Sequence, residues 1–229
     1  MLAKAVAAAV LVGLVAMTFA CTSTAAPTPT ATPTDMPTPT PTRVAETPTV
    51  QTPIAASGPD KLALVGLWPF GPSWAVEAGT VGGTPYAFLA SGGGVYILDV
   101  SWPEAPKRVS DTIRSKSVVV GLALSENVLY VAAYDGGLLV YDVSSPATPR
   151  LLSTVPALGG VGDVAVQGHY AYLVDEHNLG SSLRILDVSD PSQPKQVGEY
   201  VHRWRGFHVT VQGDWAYMEG EALVTVDIS

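Results

Sequence analysis

The sequence repeats one short pattern four times, and this repetition constrains its fold more than any other feature. Three copies of an apolar residue followed by Asp-Val-Ser-x-Pro are centred on Asp99, Asp142 and Asp187, and a fourth, centred on Asp227, reaches the C-terminus. These aspartates are 43, 45 and 40 residues apart. Upstream in each copy an aromatic residue recurs within an apolar run: Phe88, Tyr130, Tyr172 and Tyr217. A period of about forty residues indicates a repeat architecture, in which each copy forms one supersecondary unit.

Each copy divides into four short segments rich in Val, Leu and Tyr, separated by Gly, Asn and Pro. Such segments predict the strands of an antiparallel meander. In the second copy the predicted strands are Val118–Leu124, Val128–Ala133, Leu138–Val143 and Arg150–Val155. Several segments are apolar on both faces, whereas a sheet with one wet face would alternate. The sequence therefore predicts an all-β propeller, because its blades are covered on both sides by neighbouring blades.

The repeated aspartates are interpreted as structural turn residues. Aspartate and serine side chains accept hydrogen bonds from nearby backbone N–H groups, and proline presets the backbone angle of a turn. The predicted turn aspartates are Asp99, Asp142, Asp187 and Asp227. A metal site built from all four is less favoured, since the copies fall in different blades, and we predict no metal here. The glycine runs Gly92–Gly94 and Gly136–Gly137 are interpreted as hairpin turns that require positive φ.

The repeated pattern, which follows Gly-Gly and an aromatic-centred strand, resembles the LVIVD repeat of bacterial and archaeal surface proteins. The resemblance covers residues 59–229. It implies a β-propeller on a secreted or anchored protein, a role in interaction and surface attachment, and no common catalytic motif. This chain departs from the family in length, because such propellers generally have more than four blades.

The ends of the repeat region suggest how four blades could close. The repeats run over about 69–111, 112–154, 155–200 and 201–229, and the last one stops before its fourth strand. Residues 59–68 resemble that missing strand. Our hypothesis is that 60–67 pairs beside 223–228, which completes the last blade and removes an open sheet edge. The alternatives are a fragment of a larger propeller and a homodimer that forms an eight-bladed ring.

The N-terminal residues predict export and anchoring. Residues 1–20 have the short basic start and apolar run of a signal peptide. Thr18–Cys21 resembles a lipoprotein cleavage site, which implies that Cys21 is acylated; ordinary cleavage after Ala20 and an uncleaved anchor remain alternatives. Residues 21–58 are a Thr/Pro-rich linker, with or without O-glycans. The predicted location is extracytoplasmic and membrane-anchored, at the cell surface or on the periplasmic side.

Composition and motifs exclude several classes of function. The net charge of −8 disfavours nucleic acid as a partner, and a single cysteine cannot form an internal disulfide. The sequence has no Gly-x-Ser-x-Gly, His-Glu-x-x-His or phosphate-binding glycine loop. We therefore predict no cofactor and no catalytic residue, and an enzyme is less expected than a binding protein. The polar run Asp175–Asn178 is interpreted as a solvated loop, with a weak metal or ligand site as the alternative.

The resemblance also indicates where a partner would bind. In similar propellers the loops before the first strand and between the second and third strands of each blade gather on one face. The binding-face candidates in these loops are Trp68, Phe70, Tyr134, Asp163, His177, Arg203, Trp204, Arg205 and His208. Three functions follow: a lipid-anchored module that binds a protein or glycan at the cell surface, a hydrolase at the channel mouth using Asp163 and His208, and a structural fragment of a larger surface assembly.

Overall fold

The structure, a computed structural model, describes residues 73–177 and 180–229. These residues form fifteen strands and no helix. The strands are β1 Ser73–Val81, β2 Thr84–Ser91, β3 Gly94–Asp99, β4 Lys107–Arg114, β5 Gly121–Ser125, β6 Val128–Ala132, β7 Leu138–Asp142, β8 Arg150–Val155, β9 Val161–Gln167, β10 Tyr170–His177, β11 Gly180–Asp187, β12 Lys195–His202, β13 Gly206–Gln212, β14 Trp215–Gly220 and β15 Val224–Asp227.

The strands form four antiparallel sheets, each built from consecutive strands. We number them blades 1 to 4: β1–β4, β5–β8, β9–β12 and β13–β15. The first strand of each blade is its innermost strand, and β1, β5, β9 and β13 contact one another in that order. The four-bladed β-propeller that the repeats predict is therefore confirmed.

The predicted strands of the second repeat differ from the observed ones mainly at the first strand. β5 begins at Gly121, three residues later than expected. The reason lies in a neighbouring blade: the N–H of Val119 donates to the carbonyl of Gly92 at 2.8 Å. Residues 118–120 therefore belong to the connection between blades, where they hold blade 2 against the β2–β3 turn of blade 1.

The apolar core lies between the blades and is divided into three clusters. The first joins blades 1 and 2, the second blades 2 and 3, and the third blades 3 and 4. The recurring aromatic residue contributes to each: Phe88, Tyr130 and Tyr172 are 0%, 2% and 4% exposed. Burial of one such side chain contributes about 1.5–3 kcal/mol. The strands apolar on both faces are thus explained, because a blade between two others buries both of its faces.

The repeated aspartates form the same turn in every blade. Each accepts a hydrogen bond from the backbone N–H of the serine two residues later. The distances are 2.8 Å for Asp99, 2.9 Å for Asp142 and Asp187, and 3.0 Å for Asp227. In blades 1 to 3 the aspartate also lies directly opposite a basic residue at the start of the outer strand: Lys107, Arg150 and Lys195. The motif therefore fixes both the turn and the register of the outer strand.

Blade 4 has three strands among the described residues. β15 pairs with β14, from Trp215 opposite Asp227 to Met218 opposite Val224. The strand expected to complete this blade, within residues 59–68, lies outside the described residues. So do the signal peptide, Cys21 and the linker. No helix in the described part of the chain is long and apolar enough to cross a bilayer.

Candidate functional site

One face of the propeller carries the connections that lead into the innermost strands. We call it the upper face; it also carries the connections between the second and third strands of each blade. Hydrogen bonds hold these connections together across blades. The N–H of Val161 donates to the carbonyl of Tyr134 at 3.0 Å, and the N–H of Glu176 donates to the carbonyl of Gly160 at 2.8 Å. Side chains from neighbouring blades therefore meet on this face.

Three side chains from three consecutive blades form a hydrogen-bonded chain on the upper face. The hydroxyl of Tyr134, in blade 2, donates to Glu176 Oε2 at 2.8 Å. Glu176, in blade 3, accepts through Oε1 from Arg205 Nη2 at 2.9 Å. Arg205 leads into blade 4. The hydrogen bond to Glu176 and the nearby carboxylate raise the pKa of the Tyr134 phenol, so this hydroxyl stays protonated and keeps donating.

Tyr134 has an unusual backbone conformation, with φ at +38°. Bulky side chains rarely adopt positive φ, and residues held there cluster at functional sites. Its ring lies so close to Gly160 that a Cβ at that glycine would come within 2.8 Å of Cε2 of the ring. The lack of a side chain at Gly160 therefore lets the ring reach Glu176.

The connection between β12 and β13 presents Arg203, Trp204 and Arg205. Trp204 is 43% exposed, and Arg203 Cζ lies 4.9 Å from the centroid of its ring. The backbone N–H of Trp204 lies 3.1 Å from Nδ1 of His202. An exposed indole with a cation stacked on it is a good contact surface, because Trp and Arg are enriched among the residues that dominate binding energy.

Asp163 and His208 occupy the start of the innermost strands of blades 3 and 4. Their side chains approach at 3.5 Å, between Asp163 Oδ2 and His208 Nδ1. The same carboxylate oxygen accepts the backbone N–H of Val209 at 3.0 Å. Burial raises the pKa of Asp163, although the Val209 and Val164 N–H groups and His208 oppose this rise. A side chain at Gly121 would collide with the Asp163 carboxylate, so the glycine makes room for it.

The interpretation of Asp175–Asn178 as a solvated loop is wrong for its first residue. Asp175 lies in β10 and is fully buried. It pairs with Arg184 and accepts hydrogen bonds from the N–H groups of Leu158, Gly159 and Gly160 at 3.0–3.2 Å. The signal in the sequence was Arg184 itself, because a lone arginine inside an apolar strand requires a buried partner.

Sequence reasoning therefore located most of the polar groups on the upper face. The structure brings Tyr134 and Arg205 together through Glu176, and Asp163 together with His208. His177 is the last residue of β10, and Trp68 and Phe70 lie outside the described residues. Within residues 73–177 and 180–229 no three or more His, Cys, Asp or Glu side chains are grouped to hold a metal ion.

Solved structures with similar folds share little sequence with this chain. The computationally designed Ika4 protein matches with a TM-score of 0.56 at 11% identity, over 69% of this chain and 92% of that one. The computationally designed Ika8 protein matches with a TM-score of 0.50 at 12% identity, over 64% of this chain and 42% of that one. A putative 6-phosphogluconolactonase from Bacteroides uniformis ATCC 8492 matches with a TM-score of 0.53 at 14% identity, over 76% and 58%. This chain thus spans less than two thirds of the last two proteins, and such identities show the fold alone.

Among protein families, the model of the LVIVD repeat matches residues 119–156, 158–201 and 207–229. These segments correspond to blades 2, 3 and 4. Residues 59–118, which also resemble the repeat, are not matched, although blade 1 has the same order of four strands. No curated protein matches the sequence significantly. The chain therefore carries LVIVD repeats in the last three blades of its propeller.

Proposed function

We propose that this chain is an extracytoplasmic, lipid-anchored β-propeller whose upper face binds a protein or glycan at the cell surface. The observation that carries the proposal is the Arg203–Arg205 connection, in which an exposed tryptophan lies between two arginines. Exposed Trp204 contributes nothing to the three apolar clusters between the blades. Its exposure and its cation–π contact with Arg203 favour a role in contacting a partner.

The partner can be tested by capture from extracellular extract. The full chain is immobilised, and its bound material is compared with that of a Trp204→Ala, Arg205→Ala variant. We expect the variant to lose most of the captured partner, because truncation of such residues typically costs more than about 1 kcal/mol each. Trp215→Ala is the matched control, since Trp215 is equally exposed at 45% but belongs to the β13–β14 hairpin. Capture that is unchanged in the double variant contradicts the proposal.

The anchor can be tested separately at Cys21. Acylation would hold the chain at a bilayer, because each buried methylene contributes about 0.8 kcal/mol. We expect cells grown with labelled palmitate to label the wild-type chain and not a Cys21→Ala variant. A wild-type chain that carries no label and fractionates with the soluble proteins contradicts lipid anchoring, and leaves the binding face to be judged by its own test.

A hydrolase is the second candidate, and the contact between Asp163 and His208 favours it. A carboxylate beside an imidazole is suited to general acid–base catalysis, and one protein of similar fold is a putative 6-phosphogluconolactonase. Turnover of a lactone by the wild-type chain, abolished by His208→Ala and Asp163→Asn, would support this function. A lactone and ester screen without turnover contradicts it.

A further inference from the structure

Three rings form a row that leads from the outer strand of blade 3 onto the upper face. Tyr200 and His202 are two residues apart near the end of β12, and Trp204 follows two residues later. The ring centroids of Tyr200 and His202 are 6.2 Å apart, and those of His202 and Trp204 are 6.4 Å apart. Tyr200 is 45% and Trp204 is 43% exposed. We call these three residues the aromatic row; it is an evenly spaced, solvent-facing surface.

The aromatic row is held in place by its own neighbours. His202 Nδ1 lies 3.1 Å from both the N–H and the carbonyl of Trp204, which ties the imidazole to the backbone beyond it. The Arg203 guanidinium covers part of the Trp204 ring at 4.9 Å. In the described part of the chain, the indole N–H of Trp204 and the hydroxyl of Tyr200 make no hydrogen bond. Both are therefore available as donors beside exposed rings.

The spacing of the rings matches an extended proline-rich segment. A polyproline II helix rises about 3.1 Å per residue, so two residues advance by about 6.2 Å. This helix makes no internal hydrogen bonds, and its carbonyls accept from donors on a binding surface. Proline-rich segments bind to other domains in this way, on exposed aromatic rings. The aromatic row offers both requirements, a repeat of the right length and donors next to the rings.

The available polar groups also favour such a peptide over a sugar. Each sugar hydroxyl both donates and accepts, so a sugar needs acceptors as well as donors. The nearest carboxylate on the upper face, Glu176, already accepts from Tyr134 and Arg205. The groups left around the row are the indole N–H, the phenol and the Arg203 guanidinium, which suit a ligand rich in carbonyl acceptors. Arg203 makes no ion pair with any described carboxylate.

We propose that the aromatic row of Tyr200, His202 and Trp204 binds a proline-rich segment of a partner protein in the polyproline II conformation. This inference rests on the proposed function, since it names the chemistry of the partner at the same face. Proline rings lie against Tyr200 and Trp204, and peptide carbonyls accept from the indole and the phenol. Because the ligand is already extended before binding, little conformational entropy is lost.

The test is a fluorescence-polarisation titration of the full chain with labelled oligoproline. A glycine–serine peptide of equal length is the control for the polyproline II conformation. We expect saturable binding of oligoproline only. Trp204→Ala and Tyr200→Ala should each weaken it by at least about tenfold. Trp204→Phe keeps a ring and loses the indole N–H, so its affinity should fall between those of the wild type and Trp204→Ala. Trp215→Ala should bind as the wild type does.

Several outcomes would overturn the inference. Equal binding of both peptides, no saturable binding, or a Trp204→Ala variant that binds like the wild type would each contradict it. All the substituted rings are exposed, so unchanged thermal unfolding of the variants excludes misfolding as the cause of a loss. If extract capture depends on Trp204 while oligoproline does not bind, the proposed function stands and this inference fails. Binding of oligosaccharides in place of oligoproline would identify a glycan partner instead.

Discussion

At the scale of single residues, the most informative group is the one that is out of sight. Asp175 and Arg184 are a buried ion pair that receives three backbone N–H groups and donates to the carbonyl of Pro156. Such a pair is stabilising only when its remaining hydrogen bonds are satisfied. Here the connection between blades 2 and 3 supplies them, so the pair fixes the position of that connection against blade 3.

We expect Asp175→Asn to destabilise the protein by about 3–5 kcal/mol, because it leaves the buried Arg184 guanidinium without a counter-charge. Urea unfolding of the full chain measures the change. The matched control is Arg150→Ala: this exposed arginine pairs with Asp142 at 3.2 Å, and its loss should cost no more than about 1 kcal/mol. Similar losses in the two variants would contradict the stabilising role of the buried pair.

At the scale of elements, the hairpins depend on glycines in two different ways. Gly137 and Gly213 both have positive φ, at 78° and 58°. A side chain at Gly137 would collide with the carbonyl of Val155, whereas one at Gly213 would meet nothing within 4 Å. The turn between β6 and β7 therefore requires glycine for its conformation and for the space, and the turn between β13 and β14 requires it for conformation alone.

Gly213→Ala should therefore cost about 1–2 kcal/mol, the strain of a left-handed residue, and Gly137→Ala should cost clearly more. Chemical unfolding of both variants gives the comparison directly. If Gly137→Ala proves no more costly than Gly213→Ala, the collision with Val155 must be relieved by a small movement of β8, and the close approach is not a constraint.

The elements also show what could be predicted from the sequence and what could not. The blade pattern was predictable, because Asp142 and Ser144 act through a local turn and Tyr130 lies in a short apolar run. The partner of Arg184 was not, since Leu158–Gly160 and Asp175 approach it from separate parts of the chain. The row of Tyr200, His202 and Trp204 was missed for a similar reason: we weighed Trp204 with its flanking arginines and overlooked the alternation along β12.

At the scale of the whole molecule, the repeated turns predict how stability depends on pH. The pKa values of Asp99, Asp142, Asp187 and Asp227 lie below the ordinary 3.8, because the serine two residues later donates to each carboxylate. A lowered pKa in the folded state means that the ionised form stabilises the fold. This contribution is fully present above the unfolded pKa and is lost as pH falls through the folded value.

We therefore expect the melting temperature to fall as pH is lowered below about 4. Asp142→Asn and Asp187→Asn should each reduce this pH dependence, because an amide cannot ionise but still accepts the serine N–H. Thermal melts between neutral and strongly acidic pH measure the effect. The same acid-induced loss in wild type and both variants would assign the sensitivity to other carboxyls.

Closure of the ring is the remaining question at this scale. If residues 59–68 complete blade 4, their deletion should lower the midpoint and the cooperativity of unfolding, since β15 would lose its outer neighbour. Sedimentation of the intact chain distinguishes a monomer from a pair of chains in one ring. A deletion variant that unfolds at the same midpoint contradicts closure by this segment.

The chain of side chains from Tyr134 through Glu176 to Arg205 has a kinetic consequence. It joins three blades on the face that we expect to meet a partner, so this surface holds its shape before any partner arrives. Association with a preorganised surface requires little rearrangement, and variation among mutants of one interface then appears mainly in the dissociation rate. Glu176→Gln, which weakens the link between the blades without touching Trp204, would be felt as a shorter lifetime of the complex.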